Sequence, residues 1–87
     1  MTIRPVCVKC KVEFVVAKNE VGVIEKSADG AEQAIWEADL LQCPGCGAQI
    51  LAGFGSAAIM QSWSPRRYQT NVSYFREQGA LYEYAHR

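Results

Sequence analysis

The chain has 87 residues, with nine Lys and Arg, nine Asp and Glu and a formal net charge of zero. This balance argues against a protein that is held on nucleic acid mainly by phosphate contacts. Apolar residues make up 49% of the chain, so we expect one small core and a single domain at residues 1–87. No apolar run approaches the ~20 residues that cross a bilayer, and the N-terminus has no signal-peptide pattern, which predicts a cytoplasmic protein without a membrane partner.

The first third of the chain predicts a cysteine pair followed by two short strands. Cys7 and Cys10 are separated by two residues and form a C-x2-C pair. Residues 12–18, VEFVVAK, are rich in β-branched and aromatic residues, which is typical of a strand. Three further segments follow in order: a turn at 19–22, a return strand at 22–27 and a polar loop at 27–33.

The middle of the chain predicts two more strands around a second cysteine pair. Residues 34–43, AIWEADLLQC, fit a strand, although their composition also allows a helix. Cys43 and Cys46 follow, and residues 48–55, AQILAGFG, predict a strand that ends at its glycines. Strands joined by short turns pair side by side, so the predicted sheet is antiparallel.

The C-terminal third predicts one helix. Residues 56–63 are compatible with a short helical turn. Ser64 then fits the N-cap, Pro65 the first helical position and Gly79 the position after the helix end. Three residues share one apolar face of this helix: Tyr68, Val72 and Phe75. Residues 80–87 are either a terminal strand or a tail.

The four cysteines together predict one metal site. Cys7, Cys10, Cys43 and Cys46 form two C-x2-C pairs. Thiols stay reduced in the cytosol, so such pairs indicate a metal or redox site rather than disulfides. Four thiolates complete the tetrahedral shell of one structural Zn²⁺. A redox pair is the alternative, but neither pair lies in the thioredoxin-like βαβ pattern that would support it.

The residues of the second pair favour a tight turn around a metal. Pro44 presets its own φ angle near the start of the turn. Gly45 and Gly47 permit a positive φ within the turn and just after it. The first pair is followed by Lys11 instead of a glycine, so its turn is expected to be less relaxed.

This cysteine pattern resembles the zinc-ribbon class, in which each C-x2-C turn, called a knuckle, lies at the tip of a β-hairpin. The resemblance covers Cys7 to about Phe54. It implies an antiparallel β zinc ribbon at about 5–55. Together with the helical extension that the residue pattern predicts at about 57–87, this gives a small α+β fold. RPVCVKC and the later CPGCG and GFG also resemble small phage-type zinc-ribbon proteins, which implies an accessory protein in the cytoplasm of a phage-infected host.

The pattern is also similar to rubredoxin, which implies iron and electron transfer. A site of four thiolates accepts iron as well as zinc. Trp36 and the long spacer at residues 11–42 fit this comparison, whereas Lys11 in place of a glycine does not. Zinc is therefore the predicted metal, and iron is the alternative.

Two sets of surface residues are candidates for contacts with a partner. Arg4, Lys9 and Lys11 flank the first knuckle, where they either compensate the thiolates or, with Arg66 and Arg67, contact phosphate. Three aromatic residues outside the ribbon contribute either to the core or to a partner or self-association surface: Trp63, Tyr82 and Tyr84.

The sequence contains no recognisable catalytic set. His86 is the single histidine and is predicted to be a solvated residue of the tail. The motifs of serine hydrolases, phosphate-binding loops and zinc proteases do not occur. We therefore predict a non-enzymatic protein-interaction module, in the phage interpretation a regulator or inhibitor of a host protein. A nucleic-acid-binding ribbon and an iron electron carrier are the alternatives.

Overall fold

The computed structural model describes residues 4–86, so the two ends of the predicted domain, residues 1–3 and 87, lie outside the described residues. Six elements follow one another: β1 (Val15–Lys26), β2 (Glu32–Gln42), β3 (Gln49–Ala52), β4 (Met60–Gln61), α1 (Pro65–Glu77) and β5 (Leu81–Ala85). One sheet and one helix make a small α+β fold, as predicted. Among residues 4–86, no helix combines the length and the apolar character needed to cross a membrane.

The strands form one mixed sheet. Their order is β3-β2-β1-β5, and β4 also pairs with β2. β1, β3 and β4 run antiparallel to β2, but β5 runs parallel to β1, with Leu81 opposite Gly22. The sheet as a whole is therefore mixed, because β5, which the sequence left open as a strand or a tail, does not share the antiparallel pairing predicted for the earlier strands. The helix carries the chain back over the sheet before β5 begins, and parallel strands need such a crossover.

The predicted turn at 19–22 is also wrong, because β1 continues through it as a single long strand. The strand has irregular pairing between Val16 and Val21, and Glu20 has a positive φ of 55°. The backbone N–H of Glu20 donates to Oδ1 of Asp39 at 3.2 Å, which satisfies a group that the irregular pairing leaves free. The actual hairpin turn lies in the predicted polar loop, where the N–H of Ser27 donates to the carbonyl oxygen of Ala31 at 2.9 Å.

The helix covers one face of the sheet. Tyr68, Val72 and Phe75 are buried, as their spacing predicted, and they pack with Ile24 and Ile35. Pro65 begins the helix, and a Schellman motif at Gly79 ends it. In this motif the N–H of Ala80 donates to the oxygen of Phe75 at 2.9 Å, and the N–H of Gly79 donates to the oxygen of Arg76 at 3.1 Å. Ser64 lies at the N-cap, but its side chain makes no capping hydrogen bond within residues 4–86. The predicted helical extension is thus helical only at Pro65–Glu77.

The face of the sheet opposite the helix is covered by the sheet itself, which curls over it. Its buried residues come mainly from the two central strands: Val21, Val23, Ala38, Leu40 and Ala80. Leu51 from β3 and Tyr82 from β5 pack on this same cluster, although the two strands lie at opposite ends of the strand order. The rings of Phe54 and Tyr84 meet edge to face, with centroids 6.2 Å apart. The two sheet edges therefore approach each other on this face.

Residues 56–63 do not form the predicted helical turn. β4 pairs with β2 instead, with Met60 opposite Ile35. The N–H of Ile59 donates to the oxygen of Ile35 at 2.8 Å, and the N–H of Ser62 to the oxygen of Gln33 at 2.9 Å. The backbone groups of β2 that pair with this segment are its hydrogen-bond partners. The sequence of residues 56–63 does not show that β2 lies beside them.

His86 follows β5 and is exposed, as predicted, but hydrogen bonds attach it to the sheet. Its backbone N–H donates to the oxygen of Lys26 at 3.0 Å, which extends the pairing of β5 with β1. Nε2 of its ring lies 2.7 Å from Oε2 of Glu25, and Nε1 of Trp36 donates to the other oxygen of Glu25 at 2.9 Å. The ring also contacts that of Tyr84 edge to face. Glu25 thus joins residues from β1, β2 and the end of β5.

We expect Glu25 to remain mostly ionised at pH 4.5, where an ordinary glutamate is half protonated. Hydrogen bonds from His86 and then from Trp36 lower the pKa of Glu25 from its ordinary 4.5. Because the folded-state pKa is depressed, the stability that this group contributes is present above pH 4.5 and is lost as the pH falls through the folded pKa. The carboxyl ¹³C chemical shift of Glu25 in the folded protein measures this titration.

The matched control for this titration is His86→Ala, which removes the largest cause of the shift. The Glu25 titration is expected to move back toward pH 4.5 in this variant, because Trp36 alone then stabilises the carboxylate. A titration midpoint at or above 4.5 in the unmodified protein contradicts the geometry described for Glu25.

Candidate metal centre

The first knuckle is a tight turn closed by two backbone hydrogen bonds. The N–H of Cys7 donates to the oxygen of Val12 at 2.9 Å, and the N–H of Lys11 donates back to the oxygen of Cys7 at 2.7 Å. Lys11 has a positive φ of 60°. Val6 and Glu13 pair across the base of this turn in antiparallel fashion. The local sequence therefore forms a small hairpin that carries two thiols at its tip.

The second knuckle repeats the same arrangement. The N–H of Cys43 donates to the oxygen of Ala48 at 2.8 Å, and the N–H of Gly47 donates to the oxygen of Cys43 at 2.9 Å. Gly47 has a positive φ of 79° and occupies the position that Lys11 has in the first knuckle. The two C-x2-C turns are thus equivalent in backbone conformation although only one of them contains glycine.

The fold brings all four predicted ligands together. The Sγ atoms of Cys7, Cys10, Cys43 and Cys46 lie within 4.8 Å of one another. The Sγ atoms of Cys7 and Cys46 are 3.8 Å apart. A tetrahedral site with zinc–sulfur bonds of about 2.3 Å has sulfur–sulfur edges of about 3.8 Å. The Cys7–Cys46 pair therefore has the sulfur–sulfur spacing of a tetrahedral zinc site, and the predicted cluster is confirmed as a group that could bind a metal.

The four thiols differ in their electrostatic environment. The backbone N–H groups of Cys46 and Gly45 hydrogen-bond to Cys43 and lower the pKa of its thiol to about 6. The N–H of Gly45 lies 3.4 Å from this sulfur. A hydrogen bond to Cys43 is the largest cause that raises the pKa of Cys10 to about 12. The cluster without metal therefore favours a Cys43 thiolate that accepts the proton of Cys10, and a cation would replace that proton.

Few apolar residues support this end of the protein. The buried cluster around the site consists of Cys7, Phe14, Leu41 and Cys43, with Ile50 and Ala52 partly buried against it. Half of its four buried members are thus cysteines. Packing alone gives this cluster little stability, so metal coordination is expected to hold the two knuckles together.

Gly45 has a different role from the predicted one. The glycines with a positive φ among the described residues include Gly47 but not Gly45. A Cβ atom built on Gly45 would lie 2.9 Å from Sγ of Cys10. Gly45 is therefore required by the close approach of the opposite ligand rather than by its own backbone angle.

We predict that Lys11→Gly stabilises the metal-loaded protein. The left-handed conformation of Lys11 is unfavourable for a residue with a Cβ atom, whereas glycine adopts it freely, as Gly47 does in the second knuckle. Glycine also increases the conformational freedom of the unfolded chain, so a net gain of about 0.5–1 kcal/mol remains. Urea unfolding at saturating metal measures the free energy of unfolding.

Lys11→Ala is the matched control, because it removes the same charge but keeps the Cβ atom. It should be no more stable than the unmodified protein, since the positive φ of 60° remains unfavourable for alanine. Equal effects of the alanine and glycine variants would mean that the charge of Lys11, and not its backbone angle, decides the result.

The predicted phosphate contacts fall into two separate groups. Arg4, Lys9 and Lys11 lie in or beside the first knuckle, whereas Arg66 and Arg67 lie in the first turn of α1. The knuckles pack in the cluster around Phe14 and Leu41, and α1 packs in a different cluster. The fold does not join the two groups into a single basic stripe.

The predicted interface residues lie in different surroundings. Trp63 follows β4 and is 79% exposed. Tyr82 packs on the buried cluster of the curled face, and Tyr84 lies between the rings of Phe54 and His86. Trp63 is therefore the member of this set that is most accessible to a partner.

Sequence reasoning missed the exposed valines near the first knuckle. Val8 lies at the tip of the turn and is 91% exposed. Four further valines of this end are also exposed: Val6, Val12, Val15 and Val16. An apolar residue directly after the first knuckle cysteine was the available signal, because the tip of such a turn faces solvent when its two thiols face a metal.

Comparisons of the chain with protein-family models, curated proteins and solved structures find no significant match. The geometry and chemistry of the cysteine cluster therefore carry the functional argument.

Proposed function

We propose that the protein is a small zinc-ribbon module whose four cysteines bind one structural Zn²⁺. The observation that carries this proposal is the convergence of the four Sγ atoms within 4.8 Å of one another. Four thiolates fill the tetrahedral shell of zinc and leave no position for a substrate or an activated water, so the ion stabilises rather than reacts. The two knuckles in this interpretation act as a clamp that joins the N-terminal hairpin to β2 and β3.

Elemental analysis of the purified protein tests the metal. One zinc per chain supports the proposal, and the colourless protein should bind Co²⁺ with the absorption of a tetrahedral thiolate site. Protein that is red and contains one iron per chain instead supports the electron carrier, since a site of four thiolates also accepts iron. Both the zinc site and the iron electron carrier are contradicted if protein purified under reducing conditions contains no metal and does not bind added Zn²⁺ or Fe²⁺.

We further propose that the module is non-enzymatic and binds another protein, in the phage interpretation as a regulator or inhibitor of a host protein. Two exposed apolar sites support protein binding: Trp63 and the valine group around Val8. Isolated exposed apolar residues are ordinary, but a tryptophan that is 79% exposed is a favourable anchor for an interface. The basic residues favour nucleic acid less, because they lie in two separate groups.

Affinity capture with matched variants tests this interaction. The zinc-loaded protein is expected to retain a specific host protein that Trp63→Ser or Val8→Ser no longer retains. Tyr74→Ser is the control, because Tyr74 is an exposed aromatic residue on α1 outside the predicted interface. If the host protein is retained equally well by Trp63→Ser and Val8→Ser, neither Trp63 nor the valine group around Val8 forms the interface. A gel shift that weakens steeply with salt would favour nucleic acid instead.

A further inference from the structure

The four cysteine residues of the cluster are unequally exposed to solvent. Cys43 has no exposed surface and Cys7 is 7% exposed, so the first cysteine of each knuckle is buried. The second cysteines lie outward: Cys10 is half-buried and Cys46 is exposed. A reagent in solution therefore reaches Cys46 more readily than any other ligand of the site.

Hydrogen bonding separates the same thiols. In the zinc-loaded site all four ligands are thiolates, and the N–H of Gly45 donates to the buried Cys43 sulfur at 3.4 Å, which makes this thiolate less basic and a poorer nucleophile. The sulfur of Cys46 lies 3.8 Å from the sulfur of Cys7 in the other knuckle, and all four sulfurs of the cluster are within 4.8 Å of one another. Cys46 thus combines access with a second sulfur close enough to bond after a small movement.

We propose that the metal centre is a peroxide-sensitive switch in which Cys46 reacts first and a Cys7–Cys46 disulfide releases the metal. This inference rests on the proposed metal binding. It concerns regulation of the site, and the proposed interaction with a protein is not needed for it.

The proposed oxidation by hydrogen peroxide consists of two successive nucleophilic displacements by thiolate sulfur. The Cys46 thiolate attacks hydrogen peroxide, a sulfur–oxygen bond forms, the oxygen–oxygen bond breaks and hydroxide leaves. The Cys7 thiolate then attacks the sulfenic sulfur of Cys46, the disulfide forms and a second hydroxide leaves. Two electrons pass from the two sulfurs to the peroxide. Only Cys10 and Cys43 remain as ligands, and two thiolates hold Zn²⁺ too weakly to retain it.

The first experiment uses the intact zinc-loaded protein. Hydrogen peroxide is added in steps, the released zinc is followed with a chromogenic chelator, and the disulfide is located by peptide mass spectrometry without reduction. The expected result is release of one zinc per disulfide, with Cys46 linked to Cys7, and recovery of zinc binding after addition of a reductant. Brief alkylation of the loaded protein should likewise label Cys46 before the other three.

The second experiment compares two histidine variants. Cys46→His and Cys10→His each keep a four-ligand site, because three cysteines and one histidine also bind zinc. Cys46→His removes the proposed reacting sulfur and should slow peroxide-driven zinc release by about tenfold or more. Cys10→His changes the outward ligand of the other knuckle but keeps the sulfurs of Cys7 and Cys46, so it should release zinc faster on peroxide treatment than Cys46→His does.

The outcomes separate this inference from the metal proposal. The proposed switch is overturned if the protein binds one zinc but peroxide releases it through a Cys43–Cys46 or Cys7–Cys10 disulfide. The proposal of metal binding is unaffected by that result. Equal slowing by both histidine variants, or first alkylation at Cys10, also overturns the switch. If a histidine variant does not fold, the alkylation order and the disulfide map of the unmodified protein decide the question.

Discussion

Removal of the metal is expected to unfold the knuckle end of the protein while the helix and the central sheet persist. Structural zinc in small domains contributes on the order of 10–16 kcal/mol of apparent free energy. A domain of this kind has a net stability of only roughly 0.05–0.15 kcal/mol per residue. The cluster around the site contains only Phe14 and Leu41 as buried residues other than its cysteines, so the two knuckles have little else to hold them.

Amide hydrogen exchange locates the loss of structure. After chelation, or in Cys43→Ser, protection should disappear from residues 5–16 and 40–52. Amides of α1 near Tyr68 and Val72 should stay protected, because these residues pack in a separate cluster with Ile24 and Ile35. Added zinc should restore protection in the unmodified protein but not in Cys43→Ser. If amide hydrogen exchange and the circular dichroism spectrum are unchanged after complete zinc removal, the metal has no structural role.

Gly22→Ala is expected to destabilise the protein strongly, because Gly22 lies in β1 directly beneath the helix. A Cβ atom on Gly22 would lie 2.5 Å from ring atoms of Phe75, which is far inside van der Waals contact. The ring is buried between the helix and the sheet, so it has no space into which it can move. Overpacking of this kind costs about 2–3 kcal/mol. Urea unfolding at saturating zinc measures this change in the free energy of unfolding.

Gly55→Ala is the matched control, because a Cβ atom there meets its nearest neighbour, the oxygen of Ala57, at an ordinary 3.5 Å. Its effect should be within about 0.5 kcal/mol. A double-mutant cycle with Phe75→Ala gives the cause, since Gly22→Ala should cost much less once the ring is gone. Equal costs of Gly22→Ala in the presence and absence of the ring would contradict a collision between helix and sheet.

The four cysteines of the candidate metal site were predictable from sequence because the chemistry is local. Two residues between cysteines fit one turn, and Cys43-Pro44-Gly45-Cys46 shows this in its residue types. The helix boundaries were similarly readable, since Pro65 and Gly79 have strong positional preferences at helix ends. The equivalence of Lys11 and Gly47 was less readable, because only the backbone angles show that a lysine adopts the conformation of a glycine.

The sequence by itself determined which residues gather around the proposed metal and which face of the helix is buried, because cysteine spacing and helical periodicity are properties of short segments. The tertiary structure decided the rest. It turned the predicted turn at 19–22 into a continuous strand, paired β5 in parallel with β1 and placed His86 against Glu25. These features depend on which strand lies beside which, and pairing partners far apart in the chain leave no pattern within the segments that they join.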